Sequence, residues 1–210
     1  MARRKKEDAL ETRERILDAA SEIFNERGLA RPSLTDVATR AGVTRGAVYG
    51  HFENKSDVFH ALCDRIKLPQ ETLPGPGECL HDPLGKLRQH LLSTLRETAR
   101  DKERQRIFGI IFHRCELLEE NGFILKRMQD GRCEGMAAMT RLIEMAVARN
   151  QLPADLDTRR ALWLTHSTLI GLLHEWLFDP ATLDLEADAE SLVDAMIDAL
   201  KLAPSLRRPA

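Results

Sequence analysis

The sequence predicts an all-α protein of about nine helices, a small N-terminal head followed by a larger helical body. Three observations predict it. Apolar residues recur at helical spacing along most of the chain, while the strict alternation of a half-buried strand is scarce. Hydrophobic residues make up 43% of the chain, enough for a sizeable core, yet aromatic residues only 5%. Helix-starting Ser33, Thr44 and Asn54 and helix-ending Gly28 and Gly42 punctuate the first third.

The first helix is expected from Ala9 to Arg27, because Ile16, Ala20, Ile23 and Phe24 fall at i, i+4, i+7 and i+8 and form one buried stripe. Gly28 then ends it. Ser33-Leu34-Thr35-Asp36 reads as a capping box. The short helix it starts is expected to bury Leu34, Val37, Ala38 and Ala41. Gly42 permits a tight turn, and Thr44 caps a second short helix from Arg45 to Phe52 that turns Val48 and Phe52 inward. Asn54 caps the next helix, with Asp57 at its third position and Leu68 near its end.

Pro69, Pro74, Gly75, Pro76, Gly77 and Pro83 mark a loop. Helices resume at roughly 84–100, 102–119, 122–149, 157–178 and 186–202, broken by Leu152-Pro153 and Asp179-Pro180. On this reading residues 1–55 form an N-terminal head and residues 56–210 a larger helical body.

Charge and cysteine usage exclude several classes. The formal net charge is −2, with 11 basic against 9 acidic residues in 1–55 and 20 against 24 in the remainder. A slightly basic head on an acidic body suits DNA binding by the head alone. Cys63, Cys79, Cys115 and Cys133 show no C-x-x-C spacing, so neither a metal site nor a cofactor is expected. The basic start, Met1-Ala-Arg-Arg-Lys-Lys, is followed by acidic rather than apolar residues, and no run reaches the ~18 apolar residues of a membrane span. A cytoplasmic protein with no membrane partner is expected. His113, Cys115 and Glu116, and likewise His174 and Glu175, lie close in sequence. Residues one or two apart on a helix do not share a face, and no phosphate loop or nucleophile elbow is present, so no enzyme is expected.

Leu34 to Phe52 has the anatomy of a helix-turn-helix. Ala38 is small where the helices cross, Gly42 tolerates the turn, and Val37, Val43 and Val48 fill the space between. Such a second helix enters a major groove with its first residues nearest the base edges. Arg45 is placed to read guanine O6 and N7 bidentately. Thr44, Tyr49 and His51 are suited to phosphates, and Gly46 and Ala47 leave no bulk against a duplex. Lys55, at a helix start, is expected on one phosphate. Tyr49 has the alternative of packing on the preceding helix. Arg3, Arg4, Lys5 and Lys6 form either an arm along the duplex or a solvated tail.

These residues resemble the head of the TetR family of transcriptional regulators. The resemblance is carried by Thr12-Arg-Glu-Arg-Ile-Leu-Asp-Ala-Ala, Phe24, Gly28, the run Ser33 to Ala38, the run Ala41 to Phe52, and Asn54-Lys55. It implies that Thr35, Thr44, Arg45, Tyr49, His51 and Lys55 meet DNA. Many relatives carry tryptophan where this chain has Gly50. In the body, Phe112-His113-Arg114-Cys115-Glu116, Gln151 to Leu156, Gly171-Leu172, Trp176-Leu177-Phe178 and Ala203-Pro204-Ser205-Leu206-Arg207 look like repressors of multidrug efflux pumps, the AcrR-like branch. The resemblance implies a repressor released from its operator by small amphipathic ligands, and a two-fold dimer is expected on a pseudo-palindromic site. The alternative keeps the same head with a different trigger, a metabolite or cysteine oxidation, and other target genes.

A promiscuous pocket needs apolar, adaptable walls with a few polar groups. Phe108, Phe112, Met136, Met139, Trp163, His166, Ile170 and His174 either line such a cavity or belong to the core. Leu162, Leu169, Leu172, Leu173, Trp176 and Leu177 provide one apolar face, and Leu192, Val193, Met196, Ile197 and Leu200 another. These faces either pair two chains through a four-helix bundle or close the core of one.

Overall fold

The structure, a computed structural model, describes residues 2–66, 68–75, 77–78, 80–114 and 122–209, with side chains except those of residues 2–6, 70, 122–125 and 127. The fold is all-α, and among the described residues there is no strand. The helices are α1 (Ala2–Arg27), α2 (Leu34–Ala41), α3 (Arg45–Tyr49), α4 (Lys55–Cys63), α5 (Pro83–Arg100), α6 (Lys102–Gly109), α7 (Gly122–Ala148), α8 (Thr158–Phe178) and α9 (Leu185–Leu202). The chain divides into two compact units, residues 1–67 with 103–128, and residues 68–102 with 129–210.

In the first unit α1 is the spine. Its expected stripe is real, since Ile16, Leu17, Ala20, Ile23 and Phe24 are all buried. Gly28 ends the helix in the left-handed region, at φ 79°, and its N–H donates to Phe24 O at 3.0 Å. The helix begins at Ala2, earlier than the expected Ala9, because the charged segment before Ala9 holds good helix formers and no glycine or proline. The basic run Arg3 to Lys6 therefore continues the α1 backbone, and its side chains lie outside the described residues. Helices α2 and α4 pack on α1, and their buried Leu34, Val37, Ala38, Val58, Phe59 and Leu62 complete the core. Ala41 is only half-buried.

Three ends differ from expectation. Helix α3 stops at Tyr49 rather than Phe52, because Gly50 is a poor helix former and takes the cap position, while Phe52 N still bonds Val48 O at 2.9 Å. Helix α4 stops at Cys63 rather than Leu68, tightening through Arg65 N to Leu62 O and Ile66 N to Cys63 O. Helix α6 stops at Gly109 and passes into a five-residue π-helical segment, Ile110–Arg114. Residues 115–119, expected to extend it, lie outside the described residues. That π segment packs on α1, and Arg114 O accepts from the N–H of Leu29, just past the end of α1, at 3.1 Å.

In the second unit α5 and α9 pack along their length, and α8 joins them. Leu87, Leu91 and Leu95 meet a core shared with Val193, Met196, Ile197 and Leu200. An ionic ladder edges the α5–α9 contact. Arg88 Nε donates to Asp194 Oδ1 at 2.6 Å, Arg88 and Arg96 both donate to Glu190 at 3.0 Å, and Arg100 Nε donates to Glu186 Oε1 at 2.8 Å. These hydrogen bonds hold the Glu190 and Asp194 carboxyls below the usual range. The chain end is stitched down. Arg207 donates to the last carbonyls of α9, at Leu200 and Lys201, and Leu206 O accepts from Asp157 N at 2.8 Å.

Candidate nucleic-acid interface

The two short helices of the head are set by caps that need no distant partner. Ser33 Oγ accepts from Asp36 N at 3.2 Å, and Asp36 Oδ2 accepts from Ser33 N at 2.7 Å, the expected capping box. Hydrogen bonds from the Ser33 side chain, then its backbone, hold the Asp36 carboxyl below its ordinary pKa. Gly42 sits in the left-handed region at φ 65°, and its N–H returns to α2 at Ala38 and Thr39. Thr44 Oγ1 accepts from Ala47 N at 3.1 Å, and Asn54 Oδ1 from Asp57 N at 3.0 Å. Asp57 in turn accepts from Glu53 N at 3.0 Å.

Arginines then clamp this unit to α1, and the sequence reading missed them. Arg15 Nη2 donates to Ala41 O at 2.8 Å, placing a cation on the carbonyl end of α2. Arg40 donates to Glu26 at 2.7 Å and to Glu22 at 3.3 Å, and the Arg40 hydrogen bond holds the Glu26 carboxyl low. The Arg13 guanidinium lies 5.4 Å from the Phe52 ring centroid. Arg65 joins Glu14, Asp18 and Glu103 at 2.6 to 3.2 Å. Acidic residues at turn spacing on α1 (Glu14 and Asp18, Glu22 and Glu26) were the available signal.

The expected DNA-facing residues are presented as follows. Thr35, Thr44, Arg45, Gly46 and Tyr49 are exposed, and His51 is half-buried with its ring 6.3 Å from that of Phe52. Tyr49 does not bury itself on the preceding helix; it is 47% exposed, with the Arg45 guanidinium 5.1 Å from its ring centroid. Lys55 stands at the start of α4, but its ammonium donates to Ala30 O at 2.6 Å, tethering the loop between α1 and α2. The sequence reading gave it only a phosphate.

The eight candidate ligand residues are divided. Phe108 and Phe112 belong to the first unit, their ring centroids 5.9 Å apart, with Arg104 over Phe108 at 5.4 Å. The other six belong to the second unit. Phe108 and Met139 are buried, Phe112, Met136, His166 and Ile170 half-buried, and Trp163 and His174 exposed. Arg132 contacts Met136 Sδ at 3.9 Å. Burial, and then the charge of Arg132, push the His166 pKa down. A cleft of about 380 Å³ in the second unit, lined by Glu144, Leu156, Asp157, Arg159 and Arg208 among others, contains none of the eight.

Of the two alternatives for the apolar faces, core packing describes Leu162, Leu169, Leu173 and Trp176 on α8 and Val193, Met196, Ile197 and Leu200 on α9, all buried within one chain. The large apolar side chains left exposed on these helices are Trp163, Leu164, Phe178 and Leu202. No helix among the described residues is long and apolar enough to cross a membrane.

Known proteins resemble this chain over both units. Residues 16–62 match the family described as "Bacterial regulatory proteins, tetR family", and residues 82–202 match the "MAATS-type transcriptional repressor, C-terminal region". The chain is 39% identical over 210 residues to the HTH-type transcriptional regulator TtgR of Pseudomonas putida, covering 99% of this chain and 100% of that one. The crystal structure of NalD, the secondary repressor of the MexAB-OprM multidrug efflux pump in Pseudomonas aeruginosa, matches with a TM-score of 0.75 at 33% identity, over 94% of this chain and 99% of that one. A complex of triclosan with SmeT, the repressor of the Stenotrophomonas maltophilia multidrug efflux pump SmeDEF, matches with a TM-score of 0.77 at 30% identity, over 95% and 98% of the two chains.

Proposed function

The chain belongs to the TetR family of bacterial regulatory proteins, and from that premise we propose that it is a cytoplasmic, dimeric repressor of a multidrug efflux operon, released from its operator by small amphipathic ligands. The observation that carries the reading is likeness over nearly the whole chain, body included, to repressors of efflux pumps. Bodies decide what a ligand-released repressor senses, so likeness confined to the head would have supported DNA binding alone.

Residues 1–55 carry DNA binding in this proposal and residues 56–210 carry ligand binding and dimerisation. Thr35, Thr44, Arg45, Gly46, Tyr49, His51 and Lys55 face the duplex, with Arg45 reading a base and the rest meeting phosphates or leaving room for them. Within the second unit the ligand meets Met136, Met139, Trp163, His166, Ile170 and His174. Half-buried His166, its protonation opposed by burial and by Arg132, suits a neutral hydrogen-bonding group in an apolar site. A second copy covers the exposed Leu164 and Phe178 of α8 and Leu202 of α9, and a two-fold dimer matches a pseudo-palindrome. The activity involves binding only, with no catalytic step, cofactor or metal.

The test is binding to the chain's own upstream region with and without triclosan. Arg45→Ala is expected to cost about 1–3 kcal/mol and to relax one base preference, read by fluorescence anisotropy. Linkage requires that operator DNA weaken triclosan binding by the factor by which triclosan weakens operator binding, about 5–150-fold for a coupling of 1–3 kcal/mol. Equal calorimetric affinities with and without operator, for triclosan and for other amphipathic compounds that bind, would refute ligand release.

A further inference from the structure

Helix α3 carries two large exposed side chains four residues apart, Arg45 and Tyr49, which helical geometry makes neighbours. The Arg45 guanidinium carbon lies 5.1 Å from the Tyr49 ring centroid, within the range of a cation–π contact. Other arginines of the head are differently engaged. Arg13 pairs with Glu14, Arg15 bonds the Ala41 carbonyl, Arg40 bonds Glu22 and Glu26, and Arg65 bonds Glu14 and Asp18. Among the described residues Arg45 has no carboxylate or carbonyl partner, and the Tyr49 ring is what it touches.

Tyr49 has little reason of its own to stand there. It is 47% exposed, while its chain neighbour Val48 is fully buried and anchors the helix without it. The space beside the pair is open, since a Cβ at Gly46 would meet only Thr44 Oγ1, at 3.9 Å. A guanidinium held by its face keeps all its N–H groups in the exposed plane, whereas a carboxylate partner would consume them. A free arginine side chain also loses much rotamer freedom on binding, and a stacked one has lost part of it already.

We propose that the Tyr49 ring is the positioning surface for Arg45, holding the guanidinium by its face so that its in-plane N–H groups read a base edge, guanine being the base class that matches the fork. This rests on the DNA-binding reading above and deepens it. Tyr49 thereby acts on sequence discrimination, a role that a phosphate contact through its hydroxyl would not have.

The experiment selects duplexes of about 30 base pairs, long enough for two half-sites, from a randomised pool with the full-length protein. Wild type, Arg45→Ala, Tyr49→Phe and Tyr49→Ala are then titrated against the recovered consensus and its single base-pair variants, with far-UV circular dichroism on each. Arg45→Ala is expected to flatten discrimination at one base pair in each half-site. Tyr49→Ala is expected to reduce discrimination at that same pair by about two- to fivefold, the worth of an exposed cation–π contact. Tyr49→Phe is expected to retain it. The proposal is overturned if Tyr49→Ala weakens all duplexes alike and leaves that pair discriminated, or if Tyr49→Phe loses as much discrimination as Tyr49→Ala. Failure of wild type to enrich any consensus would instead overturn the DNA-binding reading, and this proposal with it.

Discussion

Head and body both rest on apolar cores, but in the head polar caps and a glycine turn also fix each short helix. Between Ser33 and Asp57 each helix start has a side-chain cap, and the one tight turn has its left-handed glycine. In the body the same kind of cap recurs at Asp82, Asp157 and Asp184, but what joins the helices is aliphatic packing with an ionic edge. A cap tells where a helix begins. An aliphatic stripe tells only that something covers it, and several neighbours would serve.

The largest expected effect tests whether the head's polar frame rests on a core as solid as the body's. Phe24 is fully buried on α1, and Phe24→Ala is expected to lower stability by about 3–5 kcal/mol in urea unfolding. A loss below about 1 kcal/mol would mean the caps alone hold the head. Next comes Gly42→Ala, expected to cost about 1 kcal/mol net, because a β-carbon is strained at φ 65° while the alanine loses less freedom on folding.

The body's glycine should respond with the opposite sign. A Cβ at Gly171, within α8, meets nothing within 4 Å, so Gly171→Ala is expected to raise stability by up to about 1 kcal/mol in thermal unfolding. A loss accompanied by weaker self-association in ultracentrifugation would place another surface against that face. The smallest effect is pH-dependent. His166 has a folded pKa below its unfolded value of 6.5, so the unfolded chain takes up the proton first. Its contribution is intact above 6.5 and is lost as pH falls from there through the folded value. His166→Asn is expected to flatten stability against pH in that window, and an unchanged slope would remove His166 from the titrating groups.

This contrast also explains what was legible in the sequence. Ser33, Thr44 and Asn54 could be read because each acts on a backbone N–H three residues on. Gly28 and Gly42 could be read because a helix that turns sharply requires a residue tolerant of positive φ. Arg15, Lys55 and Arg65 could not, since their partners lie 26, 25 and 51 residues away and only the fold brings them together. The one sequence signal was on the partner side, in acidic pairs such as Glu14 and Asp18 on α1. In the body, apolar spacing found α8 and α9. It could not separate Leu162, Leu169 and Leu173, which close the chain's own core, from Trp163 and Leu164, which remain exposed. The short α3 was misjudged by three residues because Phe52 is buried, as expected, but by a turn rather than by helix.

The first unit is not a continuous stretch of chain. It takes residues 1–67, and then residues 103–128, whose π segment lies against α1 with Ile110 fully buried. A ribosome adding about 5–20 residues per second delivers that returning segment several seconds after Lys67. During synthesis the helix-turn-helix therefore emerges with the apolar patch that receives Ile110 still open, and it must wait for later chain to close it. A gene fragment cut at residue 66 to produce a minimal DNA-binding module would make that waiting state permanent. Such a fragment should be sticky and poorly expressed.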